Sequence, residues 1–144
     1  MSYSNPLSTD SCGDEGVEIA GVDYVGISAR DLGRSAEFYR RLFGLRIVDE
    51  VREQGGTAVL MRTSEGVYLG LHEGRSTAGR ASAQSRFSFV VGDIDRARAA
   101  VWNLGVPTAD GSDEPRRRRS WRASRSFVIR DPDGHEIELV EQAR

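Results

Sequence analysis

The sequence predicts an α+β fold made of two tandem βαβββ modules. Three observations predict it. The chain repeats itself: Tyr24 falls on Arg86, Ile27 on Phe89, and Asp31-Leu32 on Asp93-Ile94. At the ends of the two halves, Leu69-Gly70-Leu71-His72-Glu73 falls on Ile137-Glu138-Leu139-Val140-Glu141. Each half also places a stretch with helical apolar spacing between stretches that alternate as strands do. Finally, Asp131-Pro132-Asp133-Gly134 is turn chemistry between two strand-like runs, so the chain closes on a β-hairpin.

The elements follow in order. Residues 1 to 18 are polar and predict a flexible arm, because they cannot bury enough surface to offset the entropy of ordering. One domain is expected from 19 to 144, with module one over 21–73 and module two over 85–142. The first strand is Val22 to Ser28, with Val25 and Ile27 on one face and Tyr24, Gly26 and Ser28 on the other. A helix runs from about Gly33 to Phe43. Asp31 or Ser35 caps it, Leu32, Ala36, Tyr39 and Leu42 form its stripe, and Gly44 ends it. Strands are expected over Leu45–Val51, Thr57–Arg62 and Gly66–His72. Residues 73–84 read as a linker.

The pattern then restarts with Arg86 to Val91, whose Phe87, Phe89 and Val91 share a face. Asp93 opens a second helix carrying Ile94, Ala97, Val101 and Leu104, and Gly105 ends it. The hairpin pairs Ser126–Arg130 with Glu136–Val140. In its second strand Glu136, Glu138 and Val140 share one face and Ile137 and Leu139 the other. His135 sits in the turn and is expected to be exposed.

Composition narrows the function. The chain has 144 residues, 38% of them hydrophobic, and a net charge of −2. That balance gives no global attraction to nucleic acid or to a membrane. No apolar run approaches a membrane span, and no basic-then-apolar leader is visible. The single Cys12 excludes an internal disulfide framework and suits a reducing cytoplasm. All 20 basic residues are Arg, which fits either a coding bias or selection for bidentate anion binding. The run Arg116–Arg119 next to Trp121 follows Asp110, Asp113 and Glu114, and it reads as a solvated loop rather than a nucleic-acid surface.

These motifs resemble the glyoxalase, bleomycin-resistance and extradiol-dioxygenase group, the vicinal oxygen chelate superfamily, over about residues 21 to 142. The resemblance is carried by Asp31-Leu32, Phe38-Tyr39, Leu42-Phe43-Gly44-Leu45 and Arg130-Asp131-Pro132-Asp133-Gly134 to Glu138-Leu139. It implies a curled sheet around a cavity, completed by a homodimer. Metal-dependent relatives place ligands at the positions of Tyr24, Gly70, Arg86 and Glu138. Here only Glu138 keeps a usual ligand type, and a guanidinium at Arg86 would repel a cation. The expectation is therefore no metal and no cofactor.

The candidate catalytic residues are Glu138, His72 and Arg86. The candidate ligand-binding residues are Tyr24, Tyr68, Arg86, Trp121 and Glu138. Arg86 and Glu138 read as an ion pair that is structural, or as an oxyanion binder with a general base. His72 reads as a solvated strand end or a proton shuttle. Tyr24 fills the cavity or stacks on a flat ligand. Trp121 lines the cavity mouth or packs against a partner subunit. Two functions follow from the resemblance. One is metal-independent binding of an oxygenated aromatic or polycyclic small molecule. The other is cofactor-free acid–base catalysis of the isomerase, lyase or cyclase type.

Overall fold

The computed structural model describes residues 16–74, 85–109, 116–117 and 123–142. Module one contains β1 (Val25–Ala29), α1 (Leu32–Phe43), β2 (Arg46–Glu53), β3 (Gly56–Arg62) and β4 (Tyr68–Glu73). Module two contains β5 (Arg86–Val91), α2 (Ile94–Asn103), β6 (Arg116–Arg117), β7 (Ala123–Arg130) and β8 (Glu136–Gln142). The sheets have the orders β1-β4-β3-β2 and β5-β8-β7-β6, and in each the first strand lies parallel to the last.

The ladder keeps the repeat in register. Val25 lies opposite Leu69, and Phe87 lies opposite Ile137, which are the positions the repeat equates. The first strand starts later than the expected Val22: its ladder with β4 begins at Val25, opposite Leu69. The fourth strand also starts later than the expected Gly66. Val67 is used in a turn, where its carbonyl accepts from the Thr63 amide at 2.9 Å. The basic run, which the sequence reads as a loop, contributes the short strand that completes the second βαβββ module: Arg116 and Arg117 pair with Ser126 and Arg125 on the edge of sheet two.

Local chemistry sets the helices. The Asp31 carboxylate accepts from the Arg34 amide at 3.0 Å and caps α1. Gly44 ends α1 at φ 68°, a left-handed turn that costs a residue without Cβ little. Asp93 caps α2 by accepting from the Asp95 and Arg96 amides. Among the described residues, no helix is long and apolar enough to cross a membrane.

The two modules share one core. Ile27, Tyr39, Leu45, Leu69 and Leu71 pack in the same cluster as Ile94, Val101, Ile129, Ile137 and Leu139. The Phe43 and Phe89 rings meet edge to face at 5.1 Å across the boundary. Each buried aliphatic side chain is worth about 1.5–3 kcal/mol of transfer free energy, so this shared layer is the main force joining the halves.

A polar clasp adds direction. Tyr39 donates to Asp131 at 2.7 Å, Ser35 to Asp133 at 3.0 Å, and the Arg30 amide to Asp133 at 3.1 Å. The turn after β7 thus grips the end of β1 and the start of α1. His135 corrects the sequence expectation of exposure: it is 1% exposed. Its Nδ1 accepts from the Ser85 amide at 2.9 Å, and its Nε2 lies 2.7 Å from the Ser28 carbonyl oxygen. These partners require the neutral ring with its proton on Nε2.

Candidate functional site

The ladder registers lay out the solvent-side face of sheet one in rows. Gly26, Gly70, Leu60 and Asp49 form one row, and Ser28, His72, Ala58 and Val51 form the next. Tyr24, just before β1, lays its ring over the two glycines. A Cβ at Gly70 would stand 2.8 Å from the Tyr24 ring, and one at Gly26 would stand 3.3 Å from it. The absence of a side chain at Gly70 is therefore what lets the ring lie flat. The His72 and Tyr24 rings are 6.3 Å apart and tilted by 31°.

A cleft of about 190 Å³ opens here, lined by Tyr24, Gly70 and His72 together with Leu60, Asp23 and Asp49. All of its lining comes from module one. Its volume is below the roughly 300–1,000 Å³ of a drug-sized pocket, so it reads as one wall of a larger site. Asp49 and Asp23 were not among the sequence candidates. A β-bulge between Ile47 and Asp49 explains the first miss, because it shifts the alternation that the sequence suggests for β2. Tyr68 stands beside this face with the Arg62 guanidinium 5.5 Å above its ring.

On sheet two, Ser88, Glu138 and Val128 form the row that the repeat equates with the Gly26–Gly70–Leu60 row. Glu138 is 5% exposed. Ser88 Oγ donates to Glu138 Oε1 at 2.9 Å, and Ser126 Oγ donates to Oε2 at 3.2 Å. These hydroxyls offset part of the cost of burying the carboxylate. The Arg86 guanidinium stands 3.9 Å from Glu138 and 3.6 Å from Glu136, and Arg130 reaches Glu136 at 3.7 Å. Arg86 is more than half exposed, so its pairing contributes about 0–1 kcal/mol to folding. A guanidinium carries five N–H donors, so at this exposure it can also meet a ligand oxygen.

The candidates thus fall into two groups, Tyr24, Gly70 and His72 on sheet one, and Arg86 and Glu138 with two serines on sheet two. Trp121 lies outside the described residues. Among the described residues, no three His, Cys, Asp or Glu side chains converge in a way that could hold a metal ion.

A family model described as the Glyoxalase/Bleomycin resistance protein/Dioxygenase superfamily matches residues 21–139. Solved structures share the fold. TnmS3, an antibiotic binding protein from Streptomyces sp. CB03234, superposes with a TM-score of 0.68 at 18% identity, covering 89% of this chain and 100% of its own. A glyoxylase/bleomycin resistance protein/dioxygenase domain from Frankia sp. EAN1pec gives 0.69 at 17% identity, covering 87% and 99%. A mutant of the fosfomycin resistance protein FosX from Listeria monocytogenes, complexed with Mn(II) and 1S,2S-dihydroxypropylphosphonic acid, gives 0.60 at 21% identity, covering 85% and 90%.

Proposed function

The chain belongs to the glyoxalase/bleomycin resistance protein/dioxygenase superfamily, and from that premise we propose that it binds an oxygenated aromatic or polycyclic small molecule without a metal ion. The observation that carries this reading is the pair of matched positions Gly70 and Glu138. In metal-dependent relatives such positions hold a cation. Here Gly70 has no donor and is covered by the Tyr24 ring, while Glu138 is engaged by Ser88, Ser126 and the nearby Arg86. A divalent ion needs several N or O ligands converging on it, and a guanidinium beside a single carboxylate opposes that. The residues do not fit the metal.

They do fit a flat neutral or anionic guest. Tyr24 offers a ring face, Arg86 offers donors to a carbonyl or phenolate oxygen, and the Glu138 carboxylate fixes where Arg86 stands. The antibiotic-binding description of TnmS3 supports this class of ligand. The small cleft on sheet one supports a homodimer as the assembly that completes the site. Acid–base turnover is the second reading. It is favoured by the burial of Glu138 beside Arg86, with His72 as a proton shuttle.

The test uses dialysed protein and 1,8-dihydroxyanthraquinone as the probe. Elemental analysis should find no stoichiometric zinc, iron or manganese; one bound ion per chain overturns the metal-free reading. Calorimetry should show binding, and mass spectrometry should return the probe unchanged. Turnover that disappears in Glu138→Gln would replace sequestration by catalysis.

A further inference from the structure

A second cavity, larger than the cleft beside Tyr24, lies away from these faces. It is a groove of about 350 Å³ between the last turn of α2 and the segment 105–108. Gly105 reverses the chain at φ 71°, and the Val106 amide bonds back to the Val101 carbonyl at 3.1 Å. Thr108 and Ala109 are held by bridges to Ile129 and Val128 on β7. Both walls are therefore fixed by backbone bonds.

The groove has an unusual pairing of residues. Trp102 is 67% exposed, although an indole buries well and its neighbour Val101 is in the core. Arg98, four residues earlier, shares its helix face. Arg98 is half-buried, and among the described residues it is the single charged one of the lining and no carboxylate pairs with it. A partly desolvated guanidinium without a counter-ion gains from an anion, and its planar fork matches a carboxylate. Val106 and Pro107 line the same groove as Trp102 and add apolar surface to it.

We propose that this groove is a second small-molecule site, selective for a flat aromatic carboxylate. The ring lies between Trp102 and Pro107, and the carboxylate sits on Arg98. The site is independent of the faces around Tyr24 and Glu138.

The test titrates 2-naphthoate into the full chain, followed by calorimetry and by the indole N–H resonances. One indole signal should move. It is assigned to Trp102 by its loss in Trp102→Ala, with Trp121→Phe as control. Arg98→Gln and Trp102→Ala should each weaken binding about tenfold or more, as expected for losing a charge-assisted contact or a stacking face. Tyr24→Ala and Glu138→Gln should leave the titration of the Trp102 signal unchanged, and by that signal uncharged 2-naphthalenemethanol should bind about tenfold less tightly than 2-naphthoate. Circular dichroism checks that each variant is folded. The proposal is overturned if the Trp102 signal stays fixed at millimolar 2-naphthoate, or if Arg98→Gln binds as well as the parent. It is also overturned if Trp102→Ala halves the mass seen by light scattering, which would make the groove an interface between copies.

Discussion

Tyr39 on the first helix donates its phenolic proton to Asp131 at the end of β7, across the boundary between the modules and 2.7 Å away. The bond is buried, and Asp131 spends its other oxygen on the Asp133 and His135 amides. Tyr39→Phe should therefore cost about 1–3 kcal/mol, the range for leaving a buried acceptor short of a partner. Urea denaturation of the two proteins measures the difference.

The same phenol makes stability depend on alkaline pH. Burial, and then the Asp131 carboxylate beside it, push its pKa far above the ordinary value of 10.0. In the folded state Tyr39 stays protonated while the unfolded chain ionises. Its contribution is fully present below about pH 10 and falls above it, by up to about 1.4 kcal/mol per pH unit. Tyr39→Phe should flatten that fall. In the parent, absorbance at alkaline pH should count one tyrosine that titrates only as the protein unfolds; four tyrosines titrating before unfolding would contradict the assignment.

His135 ties the start of β5 to the end of β1. Replacement by Phe keeps a ring but strands the Ser85 amide and the Ser28 carbonyl. A loss of roughly 1–3 kcal/mol is expected for each group that water cannot reach. Nitrogen NMR should find the parent ring neutral and protonated on Nε2. A ring protonated on Nδ1 would contradict the geometry.

Gly70→Ala tests the Tyr24 shelf. The new methyl would stand 2.8 Å from the ring, which is 43% exposed at the residue level and can swing aside. Folding stability should change by less than about 1 kcal/mol, whereas affinity for 1,8-dihydroxyanthraquinone should fall about tenfold. Tyr24→Ala should have a similar effect, and the double variant should be no worse than either alone. Additive losses would mean that glycine and ring act separately.

Arg86→Gln should weaken binding of the same probe about tenfold, with the largest effect at low salt. Arg125→Gln is the control. That arginine pairs with Asp95 and Glu141 near the start of α2, and its loss should leave affinity unchanged.

What the sequence disclosed was mostly local. Asp31, Gly44 and Asp93 act within a few residues of themselves, so their roles were readable from spacing. The repeat was readable because the same face pattern recurs, and the ladder keeps it. The clasp was not. His135 was expected to be exposed because its partners, Ser28 and Ser85, lie 107 and 50 residues away. Asp49 was missed because an extra residue in β2 breaks the alternation from which faces are inferred. Glu138 was visible as a carboxylate among aliphatic neighbours, but the two serine hydroxyls holding it became apparent only across paired strands.

A scaffold built twice from one plan has no inherent head or tail. Gly70 under its aromatic lid and Glu138 in its notch of hydroxyls occupy matched places with opposite character. A guest long enough to touch both would meet a ring face at one end and a carboxylate beside a guanidinium at the other. One of its two orientations would be favoured, and reversed analogues of equal size would be told apart.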